Sequence, residues 1–390
     1  MYIVGVDIGK NNHEATIIDD TGSIIGKSIK FANSHSGGNK LIEHIKKYTG
    51  NSKVIFGLEA TGHYWLSLYS FLLTKGYEIN VINPIQSDSF RNLYIRKTKN
   101  DTKDSFIIAE VIRFGKFTNT KLCDDKLLAL RQLCRYKLSL TTEISELKCR
   151  IITVLDQIFP EYDKLFSDIW GASSKAVLEK CQTPEGILEL DINDLTELLK
   201  TKSKGRLGFN KADEIQNAAK NTFGIKIAKK AFKFQIKQLI SQILFLEKQM
   251  KSLDSEIEFY YSKFDCHLTT IPGIGSVTAA IILSEIGDIK RFKNSSSLVA
   301  YAGIDPTVKQ SGQFLSNNNK MSKRGSPYLR RALFLSASTC VLHDSPLNEY
   351  YNKKRSEGKH HLVAIGATAN KLTRIVFAVM RDNKDYVPIN

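Results

Sequence analysis

Cysteine is sparse and unpatterned in this chain. The six cysteines (Cys123, Cys134, Cys149, Cys181, Cys266 and Cys340) form no C-x-x-C pair, and none sits at zinc-ligand spacing with histidine. That argues against a disulfide framework and an ordinary zinc site, and implies reduced, mostly buried thiols of a cytoplasmic protein. No segment holds the roughly 18 uninterrupted apolar residues that a transmembrane helix needs. The chain starts directly in the strand-like run "YIVGVDIG", without a signal-peptide pattern. Acids are the scarcer charge: 40 Asp and Glu face 56 Lys and Arg in 390 residues, a net charge of +16. The deficit favours a polyanionic partner, nucleic acid first and an anionic membrane surface second. The plain alternative is a basic protein whose charge only keeps it soluble. Locally the deficit is complete. Between Asp305 and Asp344 there is no acid, while Lys309, Lys320, Lys323, Arg324, Arg330 and Arg331 all fall there.

The first 120 residues pattern as α/β. "YIVGVDIG" and "KVIFGLEA" read as buried strands, and "DDTG" between "HEATIID" and "SIIGKSIKF" reads as a hairpin turn. Helix patterns run from about Gly37 to Tyr48 and through "HYWLSLYSFLLTKG", before a strand "YEINVIN" that ends at Pro84. These elements fit a mixed sheet with helices packed on it. From residue 121 to 265 the pattern is long helices. Ile144, Leu147, Ile151, Val154 and Ile158 recur at steps of three and four, as do Ile236, Leu239, Ile243, Leu246, Met250, Leu253 and Ile257. Such seams predict coiled-coil packing, either with each other inside one chain or between subunits. A lysine-rich segment at about 166–229 reads as an inserted helical part. Residues 266–390 form a third, mostly helical region that opens on "IPGIGSVTAA".

Four acids stand at chemically suggestive places. Asp7 lies in the first strand, Glu59 ends the strand "KVIFGLE", and Asp101 and Asp104 head the helix "DTKDSFIIAEVI". Strand ends and helix starts converge on one edge of an open α/β sheet. The pair alone is equally a helix N-cap set. Gathered together, two carboxylates about 4 Å apart repel by roughly 4 kcal/mol at an effective dielectric of about 20. A divalent cation or protons would offset that cost, and an all-carboxylate set suits Mg²⁺ or Mn²⁺. Beside a basic surface, such a site points to phosphodiester chemistry. The surrounding Arg96, Lys97, Lys99 and Lys103 are candidate phosphate contacts. Farther on, Gly273 and Gly275 in "PGIG" resemble a helix–hairpin–helix turn that lets backbone N–H groups approach phosphate. Lys309, Lys323, Arg324, Arg330 and Arg331 are the other candidate contacts, each also readable as a solvated surface charge.

"VGVDIGKNNHEATIID", "GLEATGHYW" and "KNDTKDSFIIAEVI" resemble the N-terminal domain of DEDD-type transposases of the insertion-sequence one-ten family, whose fold is RNase H-like in its RuvC variant. The resemblance places the D, E, D, D set on Asp7, Glu59, Asp101 and Asp104. "LVAYAGIDPTVKQSGQF" and "MSKRGSPYLRRALF" resemble that family's C-terminal domain. They imply a catalytic serine at Ser311, with Ser322 as the rival that local chemistry does not separate from it. No histidine neighbours either, so no Ser-His-Asp triad is visible. The resemblance further implies a serine–DNA intermediate, a composite site built across subunits of a dimer or tetramer, and a structured guide RNA encoded by the element. No RNA-specific motif is present.

Three other readings fit parts of the pattern. A metal-dependent Holliday-junction-type endonuclease without a serine adduct needs only the four acids. A sugar kinase or actin-like ATPase shares the first hairpin but requires a second glycine-rich phosphate loop, and the chain shows none. A non-enzymatic nucleic-acid binder, such as an inactive remnant, needs neither acids nor serine, yet all five residues are present.

Overall fold

The computed structural model describes residues 1–388, apart from 61, 92–100, 116, 118–123, 308–309, 312–313 and 316–319, with backbone alone at 85, 310, 311, 314 and 315. The chain divides into two compact units, Met1–Leu122 and Cys123–Asn390.

The first unit runs β1 (Tyr2–Ile8), β2 (Asn12–Ile18), β3 (Ile29–Ala32), α1 (His35–Thr49), β4 (Val54–Glu59), α2 (Trp65–Thr74), β5 (Glu78–Ile82), α3 (Pro84–Arg91) and α4 (Asp101–Phe114). The sheet order is β3-β2-β1-β4-β5. β2 is antiparallel to β1 and β3, whereas β1, β4 and β5 run parallel. "DDTG" forms its turn, with Asp19 Oδ1 accepting from the N–H groups of Thr21 and Ser23 at 2.9 Å each. The strand expected through "SIIGKSIKF" is interrupted at Gly26, φ +74°: Ile24 makes a single bridge to Ile18 before it, and Ile29–Ala32 pairs with β2 as a strand after it.

Alternation along each strand sends its side chains to two different layers. Val4, Val6, Ile8, Ala15 and Ile17 pack with Leu41 of α1 and Leu68 of α2. Ile3 and Ile18 pack on the other face with Ile107, Ile108 and Ile112 of α4. That face also carries a glycine pair, Gly5 and Gly57, opposite each other in the β1–β4 register. A Cβ on Gly5 would lie 2.0 Å from the Ser105 carbonyl oxygen and 2.5 Å from the Ala109 nitrogen. A Cβ on Gly57 would lie 2.7 Å from Ile112. The paired glycines therefore let α4 lie directly on the sheet. Gly5→Ala should destabilise this unit by at least about 3 kcal/mol, since backbone rather than a movable side chain blocks the new methyl. An unchanged melting temperature for that variant would refute the close-contact account.

The second unit is built on α5 (Asp125–Ile158). α6 (Ala172–Cys181), α7 (Pro184–Glu189), α8 (Ile192–Ser203) and α9 (Phe209–Lys220) follow, then α10 (Lys229–Tyr261). α5 and α10 pack along each other within the chain. Their seam residues feed two cores. Ile144, Ile151, Ile236 and Ile243 join the insert helices. Leu130, Leu140, Leu253 and Ile257 join the C-terminal helices. Those are α11 (Ser276–Ile286), α12 (Ser295–Ala302), α13 (Pro327–His343), α14 (Ser345–Ser356) and α15 (His361–Asp382), with a small hairpin of β6 (Gln310–Ser311) and β7 (Phe314–Leu315) between α12 and α13. Of the described helices only α15 is long and apolar enough to cross a membrane, and its Ile365, Ala369, Leu372 and Val376 are buried in this core.

Candidate active site

In the first unit the four acids lie at the strand and helix ends where the sequence pattern expects. Asp7 is near the end of β1, Glu59 is the last residue of β4, and Asp101 and Asp104 lie in the first turn of α4. Asp7 points to the α4 face, as does its register partner Glu14 on β2. Hydrogen bonds tie the α4 start to that face. Thr16 Oγ1 lies 2.6 Å from Ser105 Oγ, and Thr102 Oγ1 donates to Glu14 Oε1 at 3.3 Å. Together with the glycine pair, they hold Asp101 and Asp104 beside Asp7.

The electrostatics report this convergence. The Asp7 carboxyl is pushed up from its ordinary 3.8 to about 6, first by burial and then by the charges of Asp104, Asp101 and Glu59. The acids are thus close enough to repel one another. They are not drawn into ligand geometry: among the described residues no cluster of three or more His, Cys, Asp or Glu is gathered tightly enough to hold a metal ion. The reason lies in α3, a helix the sequence reading did not anticipate. Arg91 donates to Asp104 Oδ1 at 2.9 Å and to Asp88 Oδ1 at 2.5 Å. Ser87 donates to Glu59. Asp104 is therefore turned towards an arginine rather than serving as a simple N-terminal cap. The donor set, all carboxylate oxygen with excess negative charge at Asp7, fits a hard divalent cation.

Arg91 thus supplies a positive partner at a carboxylate side chain that is only 9% exposed. Arg91→Met should cost roughly 2–4 kcal/mol by leaving Asp104 buried and unpaired. Thermal melts should show a smaller loss with millimolar Mg²⁺ than with EDTA, because the cation would replace the lost charge. An equal loss under both conditions would separate Arg91 from the cation site.

Pro84 at the first position of α3 was the available sign of that helix. Gly5, Gly57 and Glu14 carry no comparable mark, because their roles depend on register and on which layer covers the sheet. The candidate phosphate contacts Arg96, Lys97 and Lys99 lie outside the described residues. Lys103 is exposed on the first turn of α4.

In the second unit, β6 holds Ser311 in register with Phe314 of β7. Lys309 lies outside the described residues. The base of this hairpin is clasped tightly. Pro306 pairs with Met321, Thr307 N donates to the Lys320 carbonyl at 2.8 Å, and Ser322 N donates to the Asp305 carbonyl at 2.8 Å. The Ser322 hydroxyl donates to the Asp305 carboxylate. Ser322 therefore has a structural task at the hairpin base.

Behind it, the buried Glu285 of α11 receives Arg135 of α5 at 2.7 and 3.2 Å and Ser326 Oγ at 2.8 Å. Arg135 also stacks 4.6 Å over the Tyr328 ring. This network fixes the start of α13, next to the exposed Lys323 and Arg324. Arg331 is exposed too, with Nη1 3.4 Å from Thr142 Oγ1. Arg330 is half-buried and donates to the Ala302 carbonyl at 3.3 Å, so part of its donor capacity is spent on the fold. At the "PGIG" turn, Gly273 has φ +93° and a Cβ there would lie 2.9 Å from the Cys340 backbone. Close packing on α13 accounts for that glycine, whereas Gly275 faces open space just before α11.

A DEDD-type transposase family model matches residues 4–160, and a second model, described as the transposase IS116/IS110/IS902 family, matches residues 266–352. The first spans all four acids, and the second spans Ser311 and the basic interval. An insertion element IS116 protein of Streptomyces clavuligerus is 25% identical over 99% of this chain and 96% of its own. A mini-circle putative transposase for IS117 of Streptomyces coelicolor is 23% identical over 92% of this chain and 89% of its own. A pilin gene-inverting protein of Moraxella lacunata is 24% identical over 98% of this chain and 97% of its own. With both ends of the chain matched by the same family and relatives aligned along nearly its whole length, this protein belongs to the IS110 family of transposases and is a DNA transposase/recombinase.

Proposed function

We propose that the protein cuts and rejoins DNA strands of an insertion element through a serine–DNA intermediate, with a divalent cation held by the first unit. The observation that carries this reading is the placement of Asp7, Glu59, Asp101 and Asp104 at one end of the sheet, where burial first and then the charges of the other three acids push the Asp7 carboxyl up to about 6. The sheet order β3-β2-β1-β4-β5 with β2 alone reversed supports an RNase H-like, RuvC-type unit. Asp7, Glu59, Asp101 and Asp104 would hold Mg²⁺ or Mn²⁺. When bound, such a cation polarises phosphoryl oxygen.

Ser311 is the nucleophile in this reading. Its hydroxyl oxygen forms a bond to phosphorus as one strand P–O bond breaks, the serine proton is balanced by the proton that the departing strand oxygen takes up to leave as a DNA hydroxyl end, and the phosphoester energy is kept for rejoining. Lys323, Arg324 and Arg331 supply cationic contacts to the DNA backbone. Two relatives named as pilin gene-inverting proteins support recombination, since inversion requires both breaking and rejoining. A homo-oligomer and an element-encoded guide RNA complete the reading by resemblance to the family, and the excess of positive charge is compatible with an RNA partner.

The test is covalent trapping. The full chain, with the RNA that copurifies with it, is incubated with element-end DNA and Mg²⁺, denatured, and digested for peptide mapping. A DNA adduct on the peptide containing Ser311 is the expected result. Cleaved DNA with free phosphate ends and no adduct would replace this reading with a metal-dependent junction endonuclease.

A further inference from the structure

The insert of the second unit carries an acid-free interval of its own. Between Glu214 and Glu247 there is no acid, while Lys220, Lys226, Lys229, Lys230, Lys233 and Lys237 all fall there. Within the same interval Phe223 is 92% exposed, Ile227 73% and Phe234 65%. Single exposed apolar side chains are ordinary. Two rings and an isoleucine close along the chain, among charges of one sign, form a patch.

The backbone beneath the first ring is fixed. The connection between α9 and α10 is pinned on the end of α5. Thr222 Oγ1 donates to Glu161 Oε2 at 2.7 Å, and Phe223 N donates to Glu161 Oε1 at 2.9 Å. Ile225 N donates to the Gln157 carbonyl at 2.9 Å. A Cβ on Gly224 would lie 1.9 Å from the Ile158 carbonyl oxygen, so the loop lies directly on α5. The loop thus buries Gly224 and presents the Phe223 ring to solvent. Phe234 is presented by a helix. Ile236, Leu239 and Ile240 of α10 turn into the insert core, whereas Phe234 has Lys230 one turn before it and Lys237 one turn after it on the same face. Lys226, Lys230, Lys233 and Lys237 are all exposed. Glu161 and Glu185, acids that touch this interval, are engaged: Glu161 holds the loop, and Glu185 pairs with Lys229 at 2.6 Å.

A cationic patch with solvent-facing rings suits an anion that offers flat π-faces. Duplex DNA matches the charge but keeps its bases stacked inside. Unpaired nucleotides match both, phosphate to lysine and base to ring. Position decides between RNA and an opened DNA strand. Gln157, which holds the loop, and Arg135, which meets Glu285 behind the serine hairpin, lie roughly 33 Å apart along α5 at the α-helical rise. A DNA strand opened for chemistry at Ser311 is unpaired there, not most of a helix length away, whereas an RNA loop is unpaired wherever it lies.

We propose that the α9–α10 loop and the first turns of α10 bind unpaired nucleotides of an RNA, with Phe223 and Phe234 stacking on bases and Lys226, Lys230, Lys233 and Lys237 meeting the phosphates. The proposal rests on the reading that RNA is a partner of this protein, and not on the serine or the cation.

Binding measurements on the full chain test it. Fluorescence anisotropy is recorded with an unstructured, mixed-sequence RNA of about 20 nucleotides and with a DNA duplex of the same length. Phe223→Ala combined with Phe234→Ala should weaken RNA binding at least fivefold and leave duplex binding within about twofold, at an unchanged melting temperature. Phe223→Tyr combined with Phe234→Tyr should keep the RNA affinity, since a ring is what stacks. Lys230→Ala combined with Lys233→Ala should make RNA binding less steeply dependent on salt. RNA affinity unchanged by the alanine pair, or duplex affinity lost equally, would overturn the site. So would phosphatidylserine-vesicle binding or a subunit number that depends on the two rings while RNA binding does not, which would reassign the patch to a membrane surface or to a second copy of the chain. The RNA content of the purified wild type tests the partner reading separately. A wild type free of RNA sinks that reading, whereas RNA held equally by wild type and alanine pair sinks this site alone.

Discussion

Ser311→Ala should abolish the covalent protein–DNA adduct and slow strand breaking and joining by on the order of 10³-fold or more, while DNA affinity changes by less than about threefold. Removing a nucleophile deletes a bond-forming step, whereas affinity rests on many phosphate contacts. Ser322→Ala is the matched control. Its hydroxyl donates to Asp305, beside the Ser322–Asp305 and Thr307–Lys320 backbone bonds that close the hairpin. Losing it should loosen the base by about 1 kcal/mol and lower the rate severalfold, with the adduct still on Ser311. An adduct that persists in Ser311→Ala and disappears in Ser322→Ala would reverse the assignment. The sequence could not make this choice, because both serines lie in the same acid-free basic interval with no histidine beside either. The Ser322–Asp305 bond is what folding adds, since Asp305 is 17 residues away along the chain and meets Ser322 only after the hairpin closes, and the adduct position decides between the two serines.

The same division between local and folded information runs through the first unit. Asp7, Glu59, Asp101 and Asp104 were legible because strand and helix ends are written in periodicity, and such ends share an edge in any sheet with packed helices. β1, β4, β5 and α1 follow the alternation and the stop signals closely. α3 was missed because "PIQSDSFR" has no apolar stripe, and its contribution comes through Ser87 and Arg91 meeting the acids. The glycines of β1 and β4 were unreadable for another reason. Gly5 and Gly57 matter only once β1 and β4 pair in register and α4 covers them. In the second unit the seams of α5 and α10 announced two long partners but not each other. Their pairing within the chain is settled by the two cores that also collect the insert helices and the C-terminal helices. Gly273 shows the converse: a glycine read as room for phosphate also makes room for α13.

Asp7→Asn should abolish strand chemistry and at the same time make the metal-free protein more stable at neutral pH. The folded protein holds the Asp7 proton up to about pH 6, while the ordinary value is 3.8. Between those limits the native state binds more protons than the unfolded chain, so stability falls as pH rises through the interval. Below it both states carry the proton and there is no penalty. Above it the penalty is complete. For a fully buried carboxyl the shift corresponds to about 3 kcal/mol, and solvent screening at half-buried Asp7 reduces this to roughly 1–2 kcal/mol. Asparagine carries no charge, and its amide can donate to the neighbouring carboxylates. In EDTA, the melting temperature of Asp7→Asn should therefore exceed that of the wild type by a few degrees at pH 7.5, with the difference shrinking towards pH 4. Mg²⁺ should narrow or reverse the difference, because the wild type gains a ligand contact that the variant lacks. The charge that costs stability without a cation is then the one that would bind it, a trade of stability for activity placed at a single carboxylate. A variant no more stable than the wild type in EDTA at pH 7.5 would show that neither burial nor the neighbouring acids penalise the Asp7 charge, and would remove the main physical support for a cation there.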